Sequence, residues 1–408
     1  MRLLWAKAGG MLPPDMGGKI RSYQILKQLA RRHEVTLFTF YPAHPGDRHL
    51  SGPDIFSKIV PVPLPLRRRS IGEYVRAARL MAAGRPVTVD KFLYRLVRRR
   101  FAGLLDSATF DVIVCDFIVP APLMRWKTPP PTILFTHNVE ARIWERHYEF
   151  ATNPFIKTAC WLESRALART ERRYVELADH VLTVSENDRA FFLNYVAPER
   201  ISVIPTGVDT EYFAPSPDPE QPGAIVFTGS MDWMPNEDAV AYFVDKIFPL
   251  VRQELPSASF WAVGRRPTRR TQALASGSVV VTGAVDDIRP YLGKAAVCVV
   301  PLRSGSGTRI KIFEAMAMGK AVVSTTMGAE GLPVRHGENI IIADDPADFA
   351  SQVVRLLRDP ERRAKLGHAA RQLVEQNYSW FSVSETFEQI LHKTVSQANW
   401  QSSGGLTV

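Results

Sequence analysis

The sequence predicts an α/β fold made of two doubly wound domains with parallel sheets. Its first stretch has the pattern strand, glycine loop, helix, strand, with strands over 3–6 and 35–41 and a helix over 19–32. Such a βαβ unit favours a parallel sheet whose ligands bind at the carboxyl ends of the strands. A second series of alternating strands and helices begins near residue 224, after a proline-rich segment. Two units of this kind are therefore expected.

The length and the proline-rich segment set the expected domain boundaries. A chain of 408 residues is too long for one ordinary core. Residues 209–223 contain four prolines and no periodicity, which is typical of a linker. We predict a first domain over 1–208 and a second over 224–378. A helix over 379–400 can pack back on the first domain, and the Ser/Gly-rich tail over 401–408 is expected to be disordered.

The composition excludes several classes of protein. Hydrophobic residues make up 46% of the chain and charged residues 23%, as in globular proteins. No apolar run is long enough to cross a membrane. The three cysteines lie far apart, so they predict neither a metal site nor a disulfide framework. A cytoplasmic protein is expected, and buried packing is the simplest role for the cysteines.

Positive charge is concentrated in the first half of the chain. Residues 1–200 carry a net charge of +12 and residues 201–408 a net charge of −2, with eleven basic residues in the segment 67–100. Residues 70–104 predict two amphipathic helices, broken at residues 84–86. They could lie on an anionic membrane, or they could face the core with a charged outer side. A nucleic-acid partner is not expected, because the chain has no basic motif interleaved with aromatic residues.

The segment 301–319 is the strongest candidate for a binding site. Its sequence, PLRSGSGTRIKIFEAMAMG, reads as the end of a strand, a glycine loop and a helix. The first turn of such a helix favours phosphate, and Arg309 and Lys311 add positive charge. Glu314 shares a helix face with Lys311 and could accept hydrogen bonds from sugar hydroxyls. The alternative is a simple turn followed by a solvated Lys–Glu pair.

Two features of the first half also point to a site. Gly17-Gly18 follows the first strand and lets a substrate approach the backbone, although the pattern is not the dinucleotide fingerprint GxGxxG. His137 stands directly after a buried strand over 132–136, where α/β proteins place their chemistry. A lone histidine in this position can also be structural.

Four segments occur in an order that belongs to one enzyme family. They are Gly17-Gly18, IPTGVD at 204–209, FTGS at 227–230, and 305–323 with its ending EAMAMGKAVV. Through them the chain resembles the retaining GT-B glycosyltransferases of family 4, also called group 1. The segments HNVE at 137–140 and MDWMPN at 231–236 resemble a subgroup tied to bacterial exopolysaccharide assembly. The resemblance implies two Rossmann-like domains with a cleft between them.

The resemblance also implies roles for individual residues. Glu314 would bind the donor ribose, the backbone near Gly307 would hold the diphosphate, and His137 would face the transferred sugar. Gly17 and Gly18 would form the acceptor and phosphate loop, and the base would meet the backbone near Val285 and Asp286. The predicted catalytic residues are His137, Lys311 and Glu314, and the predicted donor-binding residues are Gly229, Arg265, Val285, Ser306, Gly307, Thr308, Arg309, Lys311 and Glu314.

The chain departs from the family pattern at two places. Ser306 stands where the family often has the first Glu of its E-x7-E motif, and residues 231–236 lack the usual Arg and Lys. The diphosphate charge would then fall to Arg309, Lys311 and Arg265. Arg265 could equally belong to a solvated loop.

These observations predict a retaining hexosyltransferase of cell-surface polysaccharide synthesis. Its partners would be a nucleoside-diphosphate sugar donor, a glycan or polyprenyl-linked acceptor, and the inner face of the plasma membrane. No metal or other cofactor is expected, because no Asp-x-Asp motif stands where a metal-dependent transferase needs one. Two alternatives remain open: a nucleotide-sugar epimerase, and an inactive scaffold in a polysaccharide-assembly complex.

Overall fold

The computed structural model describes residues 1–12, 17–42, 55–64, 71–304 and 310–403. The chain divides into two compact units. Unit 1 comprises Met1–Pro205 together with the residues from Ser384 onward, and unit 2 comprises Thr206–Val383. Each unit contains its own parallel sheet, so the predicted α/β class with two Rossmann-like domains is confirmed.

The sheet of unit 1 has seven parallel strands in the order β3-β2-β1-β4-β5-β6-β7. The reversal of strand order beside β1 creates a switch point, where α/β folds place ligands. The inner strands are buried on both faces, as parallel strands covered by helices must be. The strands are β1 (Arg2–Ala8), β2 (Glu34–Pro42), β3 (Lys58–Leu64), β4 (Val112–Asp116), β5 (Thr132–Phe135), β6 (His180–Thr183) and β7 (Ile201–Val203).

Helices connect the strands of unit 1, and the last helix of the chain also packs against its sheet. Helix α15 packs Phe387 against Trp5 of β1 and Phe135 of β5, with ring centroids 5.5 and 5.4 Å apart. This aromatic contact fixes the C-terminal helix to the middle of the sheet. The helices are α1 (Gly17–Leu29), α2 (Ile71–Ala82), α3 (Val87–Asp90), α4 (Arg95–Ser107), α5 (Glu140–Phe150), α6 (Pro154–Leu177), α7 (Glu186–Phe192) and α15 (Trp380–Ser403).

The sheet of unit 2 has six parallel strands in the order β10-β9-β8-β11-β12-β13. Its two inner neighbours, β8 and β11, again bring distant parts of the chain side by side. The strands are β8 (Ala224–Thr228), β9 (Ser259–Val263), β10 (Val279–Val281), β11 (Val297–Val300), β12 (Ala321–Ser324) and β13 (Ile341–Ile342).

The helices of unit 2 cover its sheet with apolar side chains. Helix α8 continues through a π-helical turn at Phe243–Ile247 into α9, and Phe243 packs on Phe260 of β9. Helix α12 buries Ile312, Phe313 and Met316. The helices are α8 (Met234–Tyr242), α9 (Phe248–Glu254), α10 (Arg269–Gln272), α11 (Arg289–Lys294), α12 (Ile310–Ala317), α13 (Pro346–Arg358) and α14 (Pro360–Asn377).

Several elements differ from the predicted ones. The segment 71–107 contains three helices where two were predicted. The additional helix is the short α3, which follows the turn after Gly84. The backbone N–H groups of its first two residues donate hydrogen bonds to Glu163. Residues 209–223 were predicted as a linker, and in the structure they belong to unit 2. There Phe213 is buried, and Glu220 forms ion pairs with Lys320 and Arg363.

No helix among the described residues is long and apolar enough to cross a membrane.

A close backbone contact at the ends of β8 and β9 supplies a test of the unit 2 fold. A Cβ atom at Gly264 would lie 1.8 Å from the carbonyl oxygen of Gly229, and the φ angle of Gly264 is +158°. We expect Gly264→Ala to lower the free energy of unfolding by at least the roughly 1–3 kcal/mol typical of overpacking. Chemical denaturation measures the change.

Gly277→Ala is the matched control, because a Cβ at residue 277 meets no atom within 4 Å. Equal stability of the two alanine variants would contradict the described contact between the two loops.

Candidate functional site

The first candidate group lies at the carboxyl edge of the unit 1 sheet. Strands β1, β4 and β5 are neighbours, and the register pairs Lys7 with Asp116 at their ends. His137 follows β5 at the same edge. All three side chains are buried. The sheet therefore gathers a cation, a carboxylate and an imidazole that are far apart in the sequence.

Asp116 is the hub of this group. One oxygen, Oδ2, accepts hydrogen bonds from Trp5 Nε1 at 2.8 Å, Lys7 Nζ at 2.9 Å and Ser22 Oγ at 2.7 Å. The other, Oδ1, lies 2.7 Å from His137 Nε2. A fully buried carboxylate needs partners of this kind to offset the loss of hydration. Asp116 thus has four hydrogen-bond partners inside the protein.

Lys7 and Asp116 are buried as a pair, and their attraction offsets part of the cost of removing the two charges from water. Burial would raise the pKa of Asp116, but the charge of Lys7 and the hydrogen bonds from His137 and Ser22 outweigh it and hold that pKa below its ordinary value. Burial lowers the pKa of Lys7, and Asp116 opposes that shift. Lys7 and Asp116 therefore form a buried ion pair.

The hydrogen bonds of His137 determine its tautomer. Arg21 Nη1 lies 2.8 Å from His137 Nδ1, and a guanidinium group can only donate. Nδ1 must therefore accept, and Nε2 must carry the proton that it donates to Asp116. Burial lowers the pKa of His137 to about 3, so the ring is neutral at physiological pH. Both nitrogens are engaged within the protein.

Aromatic rings and a glycine fix the position of this imidazole. The ring of Phe117 stacks on His137 with centroids 3.9 Å apart and an angle of 6°. Phe117 has a φ angle of +68°, a left-handed conformation that is uncommon for an aromatic residue. A Cβ at Gly18 would lie 2.6 Å from the Phe117 ring, whereas one at Gly17 would meet nothing within 4 Å. Gly18 therefore makes room for Phe117.

Helix α5, which follows His137, is held by a carboxylate of α6. Glu171 accepts hydrogen bonds from the backbone N–H groups of Glu140 and Ala141 at 2.7 and 3.1 Å. These are donors that the first turn of a helix leaves without intrahelical partners. Burial raises the pKa of Glu171 to about 8. The two helices thereby fix the chain just after the histidine.

The second candidate group lies at the carboxyl edge of the unit 2 sheet. Lys311 of α12 donates a hydrogen bond of 2.7 Å to Asn236 Oδ1 of α8. Asn236 Nδ2 in turn donates to the carbonyl of Ser230, just after β8. Asn236 is buried and thus holds Lys311 Nζ in a defined place.

Gly229 leaves space for that ammonium group. A Cβ at residue 229 would lie 2.7 Å from Lys311 Nζ, so a larger residue would displace it. Nζ also lies 3.9 Å from the centroid of the Phe227 ring, a cation–π contact. Lys311 therefore brings its charge to the end of β8, where the sequence lacks the Arg and Lys that the family usually has.

Glu314 is half-buried one turn after Lys311. Burial raises its pKa to about 7, and the charge of Lys311 acts in the opposite direction. Its carboxylate has no hydrogen bond or ion pair within the described ranges. A half-buried carboxylate without such partners is a candidate acceptor for ligand hydroxyls.

The other predicted donor residues have different surroundings. Arg265 is exposed, and its Nε donates to Ser230 Oγ at 3.2 Å. Val285 is partly buried against the core of unit 2. Four predicted residues lie outside the described ranges: Ser306, Gly307, Thr308 and Arg309.

Comparisons with known proteins assign this chain to a family. A sequence profile described as Glycosyltransferase Family 4 matches residues 17–212, and one described as Glycosyl transferases group 1 matches residues 222–359. The chain belongs to the group 1, family 4 glycosyltransferases. The resemblance to family 4, also called group 1, is thereby confirmed, whereas retention and the role in exopolysaccharide assembly stay predictions.

Solved glycosyltransferases share the fold. HepE from Anabaena, solved in complex with UDP, aligns over 96% of this chain and 100% of its own with a TM-score of 0.62 and 14% identity.

Curated relatives match more locally. An uncharacterised protein in the cps region of Klebsiella pneumoniae is 22% identical over 38% of this chain and 42% of its own length. A GDP-mannose-dependent phosphatidylinositol monomannoside mannosyltransferase of Mycolicibacterium smegmatis is 28% identical over 52% of this chain and 62% of its own length. The match therefore spans about half of the length of these relatives.

Sequence reasoning missed four residues that complete the two groups: Lys7, Arg21, Asp116 and Asn236. Lys7 and Asp116 could have been found, because each is a charged residue near the end of a buried strand. Arg21 gave no signal, because it is one polar residue on a helix. Asn236 ends the segment MDWMPN, whose resemblance implied no role for this side chain. The roles assigned to His137, Lys311 and Glu314 stay predictions.

The neutral state of His137 predicts a pH dependence of stability. Its folded pKa of about 3 lies below the unfolded value near 6.5, so the unfolded chain binds the proton more tightly. The stability contributed by neutral His137 is therefore lost as pH falls from about 6.5 toward 3. In wild type this loss amounts to up to about 1.4 kcal/mol of unfolding free energy per pH unit, and we expect His137→Gln to remove it.

Urea denaturation of both proteins at several pH values measures the difference. His368→Gln is the control, because His368 is exposed on α14. If wild type and His137→Gln have the same slope below pH 6.5, His137 is not a buried neutral imidazole.

Proposed function

We propose that this glycosyltransferase moves a hexosyl unit from a nucleoside-diphosphate sugar to a glycan or lipid-linked acceptor, with retention at the anomeric carbon. We further propose that it acts in cell-surface polysaccharide synthesis. The UDP bound by HepE and the GDP-mannose dependence of the mycobacterial relative support a nucleotide-sugar donor. The Klebsiella relative, named for the cps region, supports the pathway.

The observation that carries the proposal is the arrangement of Lys311 and Glu314 on one helix. Lys311 Nζ is fixed by Asn236 beside the bare backbone of Gly229. Glu314 adds a carboxylate with no described partner on the same side of α12. A fixed cation fits a diphosphate, and a carboxylate fits the vicinal hydroxyls of a ribose or hexose. One helix thus offers the two kinds of group that a nucleotide sugar requires.

In this proposal Lys311 stabilises the leaving diphosphate. Negative charge builds up on that group as the bond to the sugar breaks, and a fixed ammonium group stabilises the developing charge without reorganisation. Arg309 and the backbone of Gly307 and Thr308 are proposed to share this role. No metal is needed in this account.

Glu314 is proposed to bind the donor hydroxyls in its ionised form, because a carboxylate accepts hydrogen bonds at both oxygens. Its pKa of about 7 means that a substantial fraction is protonated at neutral pH. Donor binding is therefore expected to tighten as pH rises through 7. His137 is proposed to act near the transferred sugar as a neutral imidazole held in a preformed hydrogen-bond network.

Lys311→Ala and Glu314→Gln test these roles. We expect Lys311→Ala to lower the transfer rate by roughly 10²–10³, as the loss of one charge-stabilising group typically does. Glu314→Gln should weaken donor binding, and the affinity for the donor should no longer increase as pH rises through 7. The measurement is sugar transfer and donor hydrolysis over a panel of nucleoside-diphosphate sugars, with the anomeric configuration of the product read by NMR.

Lys365→Ala and Glu361→Gln are the matched controls, because both residues are exposed on α14. Wild-type turnover in Lys311→Ala and Glu314→Gln would overturn the site. Release of a converted nucleotide sugar without any acceptor would instead identify an epimerase. An absence of both reactions with every donor would favour the inactive scaffold.

We also propose that unit 1 binds an anionic membrane as a peripheral protein. Its surface carries unusually exposed apolar residues on α2, α5 and α6. Ile71, Phe150 and Phe155 have more than four-fifths of their side chains exposed. Exposed apolar groups of this size favour a partner with an apolar interior.

Arginine side chains line two adjoining cavities of unit 1. A cavity of about 360 Å³ is lined by Arg85, Arg98, Arg169 and Arg173. An adjoining one shares Arg85 and Arg169 and adds Trp161 and Leu162. The guanidinium groups of Arg98 and Arg173 have no hydrogen bond or ion pair within the described chain. Positive charge beside exposed aromatic residues fits a phospholipid surface.

Flotation with vesicles tests the membrane proposal. We expect wild type to float with phosphatidylglycerol vesicles, to stay behind with phosphatidylcholine vesicles, and to be released by salt. Arg98→Gln/Arg173→Gln should weaken the partition roughly thirtyfold, because each basic residue near an anionic surface contributes about 1 kcal/mol.

Arg269→Gln/Arg270→Gln in unit 2 is the control, since both residues are exposed. Unchanged partition of the Arg98/Arg173 variant, or equal binding to neutral vesicles, would contradict the proposal.

A further inference from the structure

A cluster of three potential metal ligands lies at the opposite edge of the unit 1 sheet from His137. It consists of His33, just before β2, and Glu388 and His392 on α15. The backbone N–H of Glu34 donates to the carbonyl of Met1, so the cluster lies where β1 and β2 begin. Lys7, which contacts Asp116, pairs with Thr39 of β2, and Thr39 comes six residues after His33. At about 3.3 Å per residue, the group around Asp116 is therefore about 20 Å from this cluster.

The ligand atoms already converge. His33 Nε2 lies 2.8 Å from Glu388 Oε1, and His392 Nε2 lies 4.0 Å from the same oxygen. All three ligand atoms lie within 4.8 Å of one another. Bonds of about 2.0–2.2 Å to a tetrahedral Zn²⁺ require ligand atoms roughly 3.3 Å apart. The observed separations fall on both sides of that value, so shifts of about 1 Å would complete the site.

The surroundings of the cluster suit a site open on one side. The side chains of His33 and Glu388 are only 5% and 14% exposed, whereas that of His392 is 59% exposed. The first two ligands are therefore held in place, and the third is free to close over an ion from the solvent side. Its exposed face leaves a position for water.

Neighbouring groups orient the ligands. Arg32 Nη2 lies 2.7 Å from Glu388 Oε2, which leaves Oε1 directed at the two histidines. The Met1 amino group lies 3.3 Å from His33 Nδ1, the nitrogen that does not face Glu388. Arg32 thus fixes the direction of Glu388. An ion at His33 Nε2 would instead require the Met1 amino group to give up its hydrogen bond to Nδ1, because a metal-bound neutral imidazole carries its proton on the other nitrogen. Because Arg32 and the Met1 amino group carry positive charge, they lower the affinity of the cluster for a cation relative to a cluster with neutral neighbours.

We propose that His33, Glu388 and His392 bind a divalent transition-metal ion, with Zn²⁺ as the best fit. Two imidazoles and one carboxylate are a ligand set that Zn²⁺ accepts with water in the fourth position. Glu388 and His392 are four residues apart on one helix, and His33 comes from a different element, so the ion would link α15 to the start of β2. The role is structural, because the site lies at the edge away from the proposed chemistry.

The proposal has a consequence for stability. An ion that binds only the folded protein raises the melting temperature in proportion to the logarithm of its free concentration. The ion would stabilise the docking of α15 on unit 1, which Phe387 already anchors from the apolar side. Transfer of the sugar would not depend on it.

Titration of the metal-free, untagged protein with Zn²⁺ tests the site. Calorimetry at pH 7.5 should show one Zn²⁺ per chain, and thermal melts should show a rise in melting temperature with Zn²⁺. His392→Ala should weaken binding at least tenfold and abolish the rise. Because His392 is exposed, this variant is expected to fold normally. Co²⁺ provides a second readout, since a tetrahedral site gives it a visible absorption.

His368→Ala is the matched control, as His368 is an exposed helical histidine in unit 2. It should bind Zn²⁺ like wild type. The proposal is overturned if wild type shows no saturable Zn²⁺ binding, or if His392→Ala and wild type bind with the same affinity. Glu388→Gln supplies an independent check, because it keeps the shape of the side chain and removes its charge.

Discussion

Parallel pairing of strands is the constraint on which both candidate groups depend. Parallel strands end at a common edge, so residues far apart in the sequence meet there without further design. In unit 1 the edge gathers Lys7, Asp116 and His137 from β1, β4 and the end of β5. In unit 2 it brings Gly229 to the ammonium group of Lys311. Side chains on the helices then supply partners for some of these polar groups and leave others available to a ligand.

The two groups differ in how completely the protein satisfies them. Asp116 has four hydrogen-bond partners, and His137 uses both ring nitrogens. Such a network is rigid, because the loss of any member leaves a buried polar group without its partner. Glu314 is the opposite case, a half-buried carboxylate with a raised pKa and no described partner. The group in unit 1 is therefore fully satisfied within the protein, whereas the group in unit 2 keeps an acceptor that a ligand could use.

The sequence predicted the fold class well and the site only in part. Alternating buried strands and helices implied parallel sheets, because only helical crossovers join parallel strands economically. The glycine loop and the Lys311–Glu314 spacing pointed to a phosphate-binding helix. The partners of these residues were not predictable, since Asn236 is 75 residues from Lys311 and Arg21 is 116 residues from His137. The same reason hid the cluster proposed to bind a metal ion, whose His33 and Glu388 are 355 residues apart. Contacts of this range become visible only in the folded chain.

Hydrogen–deuterium exchange with and without nucleotide sugars is the most direct test of the central claim that unit 2 binds the donor through the end of β8 and α12. We predict that the true donor, drawn from a panel that includes UDP-glucose and GDP-mannose, slows exchange in segments 229–236 and 283–288. The protection should be lost in Glu314→Gln. Protection confined to unit 1, or none in unit 2 with any nucleotide sugar, would contradict the account.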